Sequence, residues 1–448
     1  MKRYTRIASA GLALVGGLLG CNSFLDAPKA VADPNAPTGA TLNQLFVAVQ
    51  ANIFGEQEGS VAMLICEWTQ QCAGPAGRFV EVQGTYTITN NSFDGAMASG
   101  YTGGGLGQIK DAEALAVAAG DLKYKGTLEV LEAMNMLYLA DNWGDVPYRE
   151  ATTSTAPHFD PQLQVYDDLL LLLNTAITDL GGAGTGPGGF DLVYAGNAAK
   201  WIQAAHTLRA RIYLHLVEAR SNTQYTSALA EANAGISAAA NDWKTLHSEA
   251  TSERNMWFQF QLTSFGNDLV AGARLVGIMQ AQTDPRLAEY FGKNSSGGYG
   301  GYDVATQQTV GEPSAINGTR NNSTFAQPII TFDENQLIIA ESQFKLGNVA
   351  AAAVALNTVR AAHGKAAIAA PTLTDIMTEK YIALYQNIEA WNDYKRTCLP
   401  TLTPALGRSK VPGRIPYGAT ELQTNPNAGS DPAGALNLGR NANDPAAC

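Results

Sequence analysis

Residues that often carry chemistry in proteins occur in this sequence without the spacing that such chemistry requires. The five histidines form no H-E-x-x-H or other zinc-binding pattern, and there is no Cys-x-x-Cys pair, so the sequence predicts neither a zinc site nor a redox dithiol. The glycine-rich stretch from Gly103 to Gln108 lacks the Lys-Ser/Thr pair of a phosphate-binding loop, and no G-x-S-x-G nucleophile motif occurs. We therefore predict no catalytic residue, no metal and no cofactor.

One cysteine, Cys21, does stand where a modification is expected. It follows a basic head and an apolar run from Ile7 to Gly20, a layout typical of an export signal. The run is shorter than the roughly 18 to 20 apolar residues that cross a bilayer. Leu18, Leu19 and Gly20, directly before the cysteine, resemble the lipobox of bacterial lipoproteins. The resemblance implies cleavage before Cys21 and diacylglycerol on its thiol; the alternative is a free cysteine beside a secretory cleavage site.

The predicted division of the chain follows from this cysteine. Residues 1–20 are a lipoprotein signal peptide, and residues 21–448 form a single helical domain whose first residues, 21 to about 40, are a lipid-anchored tether. Diacylglycerol and an acylated amine together supply several chains, which anchor a protein stably. Asn22 and Ser23 replace the aspartate that retains some lipoproteins at the inner membrane, so we expect the outer membrane.

The net charge disfavours two kinds of partner. Removal of the three basic residues of the signal peptide leaves 26 of the 29 lysines and arginines against 40 acidic residues, a net charge of −14. No basic patch is available to neutralise phosphates, so nucleic acid is not an expected partner. Electrostatic docking on anionic lipid is disfavoured for the same reason, and membrane contact therefore requires the covalent anchor.

Four cysteines remain after Cys21. An even number in an oxidising compartment allows two disulfides, with three connectivities. We favour Cys66 with Cys72 because that pair is local, and Cys398 with Cys448 because that bond would tie down the tail.

Hydrophobic spacing predicts a mostly α-helical chain. Two helices broken near Gly120 are expected between Gln108 and Tyr138, and another begins where Asp160 can cap and Pro161 suits the first turn. Apolar residues three and four apart form one stripe along residues 198–220, with a partner helix predicted in residues 225–240.

A repeat signal lies in residues 334–364. Ala340 and Phe344 match the A-x3-F element of the tetratricopeptide pattern, and Leu346-Gly347 matches its turn. We predict degenerate tetratricopeptide-like helix pairs that form a scaffold, with little β-structure. Long irregular, ligand-facing loops are expected near residues 56–107, 181–196 and 292–328 and after residue 400.

The stretch "DNWGDVPYRE", Asp141 to Glu150, resembles the W-G-D-V-P-Y signature of the SusD/RagB family of nutrient-binding outer-membrane lipoproteins. Three further stretches resemble the family in the expected order: "CNSFLD" from Cys21, "KWIQAAHTLRARIYLHL" from Lys200, and "ALYQNIEAWNDYKRT" from Ala383, followed by "CLPTLTP". The last of these is most similar to the SusD-like branch. Together the matches span nearly the whole mature chain.

We interpret the motif residues as structural rather than ligand-binding. Trp143 would bury a large ring, Gly144 permits a turn, Asp145 can bond local backbone, and Pro147 stops the preceding helix. The same role is expected for Tyr148, Lys200, Trp201, Arg209, Arg211 and Trp391.

The resemblance implies capture and delivery without chemistry. Family members sit over a SusC-like TonB-dependent outer-membrane barrel and pass oligomeric nutrients to it, so the implied partners are that barrel and an oligosaccharide or peptide ligand. Sugar binding needs aromatic faces, with amides and carboxylates for the hydroxyls. Candidate aromatic residues lie in the irregular segments: Trp68, Phe79 and Tyr86 in the first, and Tyr299 and Tyr302 in "GGYGGYD".

Two other functions stay open at this level. The first is a helical-repeat lipoprotein scaffold that assembles envelope proteins without binding nutrient, which exposed loop aromatics would disfavour. The second is a glycoside hydrolase, which needs two carboxylates that converge in a cleft from positions that can lie far apart in the sequence.

Overall fold

A computed structural model of the chain describes residues 39–434 and 437–444. The described residues from Leu45 onward form one compact unit, and the packing described below lies within it. The predicted signal peptide, the lipidation site at Cys21, nearly all of the predicted tether and Cys448 lie outside the described residues.

The described residues form sixteen α-helices and three small pairs of strands, which confirms the mostly helical prediction. The helices are α1 Leu42–Glu58, α2 Ser60–Trp68, α3 Asp94–Ser99, α4 Leu106–Ala118, α5 Leu122–Trp143, α6 Gln162–Leu180, α7 Ala198–His215, α8 Gln224–Ala234, α9 Met256–Gln261, α10 Ala273–Ala281, α11 Leu287–Tyr290, α12 Phe332–Lys345, α13 Val349–Ala362, α14 Leu373–Ala383, α15 Glu389–Thr397 and α16 Ala419–Thr424. In the part of the chain that is described, none of these helices is long and apolar enough to cross a bilayer.

The strands are two or three residues long and pair antiparallel. They are β1 Cys72–Ala73, β2 Trp243–Lys244, β3 Val270–Ala271, β4 Gly301–Asp303, β5 Gln308–Val310 and β6 Pro328–Ile330. The pairs are β1 with β3, β2 with β6 and β4 with β5. Such short ladders pin loops to the helices and build no sheet-based core.

Helices that are neighbours in sequence pack as pairs, as the hydrophobic stripes predicted. Ala228 and Ala232 of α8 pack against Ala210 and Leu214 of α7 in one buried cluster. In a second cluster, Ala340 of α12 meets the buried face of α13, where its small side chain lets the two helices approach. Gly347 makes the turn between them with φ of +85°, a conformation that glycine adopts without steric cost. The tetratricopeptide-like prediction is therefore confirmed at this pair.

Two local predictions are corrected. The segment from Glu56 to Gly107 is not one irregular loop, because it contains α2, α3 and a π-helical turn at Phe79–Gln83. Every residue of α2 from Val61 to Trp68 is buried, so this helix shows no polar face for a periodicity analysis to detect.

The N-terminus of α6 is the second correction. Asp160 does not cap it, since its Oδ2 accepts hydrogen bonds from the amides of Tyr148 and Arg149, each at 2.9 Å. The amide of Gln162, the first residue of α6, instead donates to Asp145 Oδ1 at 2.8 Å.

A buried histidine joins three helices that are distant in sequence. His215 of α7 bonds Asp141 of α5 through Nδ1 at 3.1 Å and Glu389 of α15 through Nε2 at 2.9 Å. Burial opposes its charge, but the charges of the two carboxylates and their hydrogen bonds raise the pKa of His215 to about 10. His215 is therefore an imidazolium at neutral pH and serves as the counter-ion of both carboxylates. Tyr166 also donates to Asp141, at 2.6 Å.

The W-G-D-V-P-Y motif holds a distant segment of the chain. The indole Nε1 of Trp143 donates to the carbonyl of Pro416 at 2.9 Å, and Tyr417 Oη donates to the carbonyl of Asp145 at 2.7 Å. Gly144 has φ of +82°, and a Cβ there would lie 2.6 Å from Asn441 Oδ1, so glycine is required both by conformation and by space. The motif thus anchors Pro416 and Tyr417 to the end of α5, with Asn441 close to Gly144.

The other residues that were predicted to be structural also form hydrogen bonds or ion pairs with protein atoms. Tyr148 donates to Glu132, Lys200 to the carbonyl of Ala240, Trp201 to Asp191 and Trp391 to the carbonyl of Pro412, while Arg209 pairs with Glu231 and Arg211 with Glu334. Each of these side chains is engaged in the frame of the protein.

The structure joins the sulfurs of Cys66 and Cys72, whose Cα atoms are 5.1 Å apart. This bond connects the end of α2 to β1. Cys398 is also disulfide-bonded. Because Cys448 is not among the described residues, its pairing with Cys398 stays a prediction.

Replacement of Trp143 by alanine should lower the free energy of unfolding by about 3 to 5 kcal/mol, because it removes a buried ring and leaves the carbonyl of Pro416 without its donor. Trp143→Phe keeps part of the ring and should cost less. Urea unfolding of both variants measures the difference. Unchanged stability with lost ligand binding would instead make Trp143 a binding residue.

Candidate functional site

A cavity of about 750 Å³ opens along one side of α1. Its other lining comes from residues 246–254, the start of α9 and Leu192. The lining residues are Val47, Ala51, Phe54, Gly55, Leu192, Leu246, His247, Ser248, Ser252, Glu253, Arg254, Met256 and Gln259. The volume falls within the roughly 300 to 1,000 Å³ of ligand sites.

A smaller cavity of about 310 Å³ adjoins the first one. Ala51, Gly55 and Met256 line both cavities, so α1 runs along the two without interruption. The lining residues of the smaller cavity are Ala51, Asn52, Gly55, Glu56, Gly59, Ser60, Val61, Ala96, Ser99, Tyr138 and Met256. We refer to the two cavities together as the α1 groove.

The groove is open because α1 carries small residues on its outer side. Ala51 is exposed, and a Cβ built on Gly55 would meet no atom within 4 Å. Glycine inside a helix costs roughly 1 kcal/mol relative to alanine. Gly55 has no positive φ, and its Cβ position faces open space. Neither the backbone conformation nor the packing therefore requires glycine at this position.

A buried carboxylate fixes the wall opposite α1. Glu58, at the end of α1, accepts hydrogen bonds from His247 Nε2 at 2.7 Å, Asn255 Nδ2 at 3.2 Å and the amide of Met256 at 3.1 Å. Burial lowers the pKa of His247, but the hydrogen bond and charge of Glu58 outweigh it and raise that pKa above its ordinary value. Glu58 and His247 therefore attach residues 247–256 to α1 and set the width of the groove.

The larger cavity mixes apolar and polar groups. Phe54 lines this cavity from α1, and Leu246 is 55 % exposed on the opposite wall. Polar groups lie beside them: Ser248 bonds Glu253, and Arg254 donates to the carbonyl of Glu249. Such a surface suits a ligand with both apolar faces and hydroxyl or amide groups.

The smaller cavity contains one carboxyl without a counter-ion. Glu56 is buried, and its Oε1 accepts from Asn52 Nδ2 at 2.9 Å. Among the described residues, no atom hydrogen-bonds its Oε2. Burial raises the pKa of Glu56 to about 8, which the hydrogen bond from Asn52 only partly offsets. Glu56 is therefore mostly protonated at neutral pH.

The structure corrects four of the five aromatic ligand candidates. Trp68, Phe79 and Tyr86 are at most 1 % exposed, and Tyr302 on β4 is buried as well. Trp68 donates Nε1 to the carbonyl of Gln83, and the rings of Trp68 and Tyr86 pack edge to face. These rings attach their loops to the core and offer no face to a ligand.

Tyr299 is the exception, because it is half-buried. Its contact with a ligand stays a prediction. None of the five aromatic candidates lines the α1 groove.

Sequence reasoning missed the residues that form the groove. Glu56 and Glu58 lie at the start of the segment that the sequence predicts to be irregular, Gly55 directly precedes it, and His247 shows no zinc-binding spacing. One signal was present: two acidic residues and a glutamine, Glu56, Gln57 and Glu58, lie between Gly55 and Gly59 without a basic residue nearby, which is unusual at the end of an apolar helix.

Three buried side chains lie close enough to share a metal ion. Ligand atoms of Asp141, His215 and Glu389 are all within 4.8 Å of one another. Their hydrogen bonds are already satisfied within the cluster, and an imidazolium has no lone pair to give to a metal. The cluster is an ion-pair network.

Helix pairs of the tetratricopeptide type with a ligand-sized groove define a class of helical-repeat proteins with a binding surface. Within that class the sequence identifies the family: residues 34–418 match the SusD-like family, described as starch-binding and associating with the outer membrane. The chain belongs to this family. Among curated proteins, none matches the sequence.

Solved structures share the fold at low sequence identity. A chitin-binding SusD homologue from Flavobacterium johnsoniae is 21 % identical with a TM-score of 0.69, over 89 % of this chain and 97 % of that one. A protein named as chitin-binding is 19 % identical with a TM-score of 0.74, over 91 % of this chain and 100 % of that one. A SusD/RagB family protein from Bacteroides thetaiotaomicron is 18 % identical with a TM-score of 0.68, over 87 % and 95 %.

Glu56 should make stability depend on pH. Its carboxyl ionises near pH 4.5 in the unfolded chain but near pH 8 in the folded one, so the folded state holds a proton that the unfolded state has lost. The stabilisation that this proton gives the folded state is complete below pH 4.5 and is lost as the pH rises to about 8. Over this range the free energy of unfolding falls by at most about 1.4 kcal/mol per pH unit.

Urea unfolding between pH 5 and 9 tests this expectation. Glu56→Gln should gain stability relative to the wild type up to about pH 8, and the gain should then level off. Glu218→Gln, at an exposed carboxylate outside the groove, is the control. Parallel curves for wild type and Glu56→Gln would show that the carboxyl is not shifted.

Proposed function

We propose that this protein captures an oligosaccharide at the α1 groove and delivers it to a TonB-dependent outer-membrane barrel. The single observation that carries the proposal is the groove itself, a ligand-sized cavity of mixed polarity on a rigid helix, in a chain whose family is described as starch-binding. Two structural relatives are named as chitin-binding, which agrees with a glycan.

The arrangement suits capture without chemistry. The wall of residues 246–256 is attached to α1 through Glu58, while Leu246 and the small residues of α1 stay accessible. A preformed groove lowers the ordering cost of binding. We place Tyr299 among the additional contacts of a long glycan.

The delivery step and the anchor belong to the same proposal. A family associated with the outer membrane and a lipobox-like sequence before Cys21 both agree with a lipid-anchored protein. The orientation that we propose faces the cell exterior, where the glycan is.

Filling the groove should abolish binding without harming the fold. Gly55→Leu projects a side chain into open space from a helical position, so the melting temperature should stay the same or rise, whereas the affinity for a groove ligand should fall at least about tenfold. Calorimetric titration of maltoheptaose and chitohexaose measures the affinity.

The matched control is Gly277→Leu. Gly277 is also helical, in α10, also has no atom within 4 Å of its Cβ position, and does not line the groove. We expect wild type and this control to bind at least one of the two glycans equally well. Equal binding by Gly55→Leu would place the site elsewhere.

Cys21→Ser should release the protein from membranes, because the thiol that carries the lipid is lost. A pull-down of the lipidated wild type in mild detergent should recover a TonB-dependent barrel in stoichiometric amount. Other envelope proteins in its place would favour the scaffold function, and persistent lipid labelling of Cys21→Ser would refute the lipobox.

A further inference from the structure

We infer that a further cavity, formed by α6, α7 and α8, is a second binding site for a neutral oligosaccharide. This α6–α8 cavity has a volume of about 490 Å³, which is within the range of ligand sites. Among the described residues, none lines both this cavity and the α1 groove. The inference rests on the proposed function for the class of ligand only, because it does not require the groove to bind anything.

Two of the three helices turn one polar face towards the cavity. Asp167, Leu171 and Asn174 line it from α6 at intervals of four and three residues, so they share one side of that helix. Gln224 and Ser227 line it from the first turn of α8 and are three residues apart. These side chains therefore face a common space rather than separate parts of the surface.

Both arginines at the cavity are committed to the frame of the protein. Arg209 of α7 donates to the carbonyl of Leu170 at 2.6 Å and pairs with Glu231 at 2.8 Å. Arg220, in the turn between α7 and α8, donates to both carboxylate oxygens of Asp167 at 2.7 Å. These bonds hold α6 against α7 and against the turn. They also balance the charges, so the described lining offers no unpaired charge to an ionic ligand.

The other polar groups at the cavity are neutral and uncommitted. They are the side-chain amides of Asn174 and Gln224 and the hydroxyls of Tyr213 and Ser227, and no described residue hydrogen-bonds any of them. All four side chains are at least partly exposed, so a ligand can reach them. Amides and hydroxyls both donate and accept hydrogen bonds, which is what the hydroxyls of a sugar require of their partners.

Two apolar surfaces lie beside these polar groups. Tyr213 packs against the buried cluster that α7 forms with α8, which holds its ring in place at the cavity. Leu171 is 69 % exposed although it lies in the middle of α6. A pyranose ring has apolar C–H faces as well as hydroxyls, so a ring and a leucine next to free amides match its chemistry.

The same features disfavour a peptide as the ligand. An extended peptide binds best at an exposed strand edge, whereas the described lining of this cavity comes from three helices and one turn. Charged side chains and termini would need counter-ions, and the ion pairs of Arg209 and Arg220 already use the charges that are present.

Calorimetric titration of maltoheptaose and chitohexaose tests the inference in the wild type and in Gly55→Leu, whose groove is filled. The wild type should bind two equivalents of at least one of these glycans. Gly55→Leu should keep one equivalent, and this should be the weaker one, because the α6–α8 cavity is smaller than the 750 Å³ cavity of the α1 groove.

Leu171→Ser combined with Asn174→Ala removes two contacts at exposed positions, so the melting temperature should not change. Introduced into Gly55→Leu, this pair of substitutions should lower the affinity for the remaining glycan at least about tenfold. Val354→Ser is the matched control, because Val354 is 70 % exposed on α13 and lines neither cavity. In the same background, Tyr213→Ala should also weaken binding, whereas Tyr213→Phe keeps the ring and should lose less.

A wild type that binds a single equivalent, lost completely in Gly55→Leu, would overturn this inference and leave the proposed function standing. An equal loss of affinity in the Val354→Ser control would overturn it too. Glycan binding that Gly55→Leu leaves unchanged, and that the substitutions at Leu171 and Asn174 abolish, would support the α6–α8 cavity and refute the groove. If Gly55→Leu bound N-acetyl-tetraglycine amide but neither glycan, the assignment of an oligosaccharide to this cavity would be wrong.

Discussion

The imidazolium of His215 between Asp141 and Glu389 is the interaction on which the rest of the frame depends. Two carboxylates cannot be buried side by side without a counter-ion, because desolvation of unpaired charges costs several kcal/mol. The histidine therefore fixes where α5, α7 and α15 meet. The backbone carbonyl of Asp141 also accepts hydrogen bonds from Lys395 and Asn441, so the C-terminal segment is attached at the same point. Because these contacts hold the interior together without the outer side of α1, that side of the helix can stay exposed.

Local patterns in the sequence predicted the elements that depend on local physics. The spacing of apolar residues identified α7 and α8, and Ala340 with Gly347 identified the α12–α13 pair, because small residues and turns have position-specific requirements. The same reasoning offered Trp68, Phe79 and Tyr86 as candidate ligand contacts, but the structure buries all three. Aromatic rings in glycine-rich loops look exposed in a sequence, but here the loops fold back and use these rings as anchors.

The α1 groove could not be predicted in the same way. Its two walls are separated by about 190 residues, as the 189-residue interval between Glu58 and His247 illustrates. The smaller cavity brings Ser99, Tyr138 and Met256 together with α1, and no local pattern encodes that. The motif at Trp143 indicated a structural role, but nothing in it indicated the distant segment at Pro416 to which the indole donates.

The hydrogen bond between Trp143 and Pro416 spans 273 residues of sequence. Contacts of such high sequence separation form late in folding, because the loop between them must be closed first. A chain that is synthesised from its N-terminus therefore cannot complete this part of the core until the residues around Pro416 have been made. Until then, the indole of Trp143 and the carbonyl of Asp145 lack the hydrogen-bond partners that Pro416 and Tyr417 supply, and the end of α5 stays incomplete.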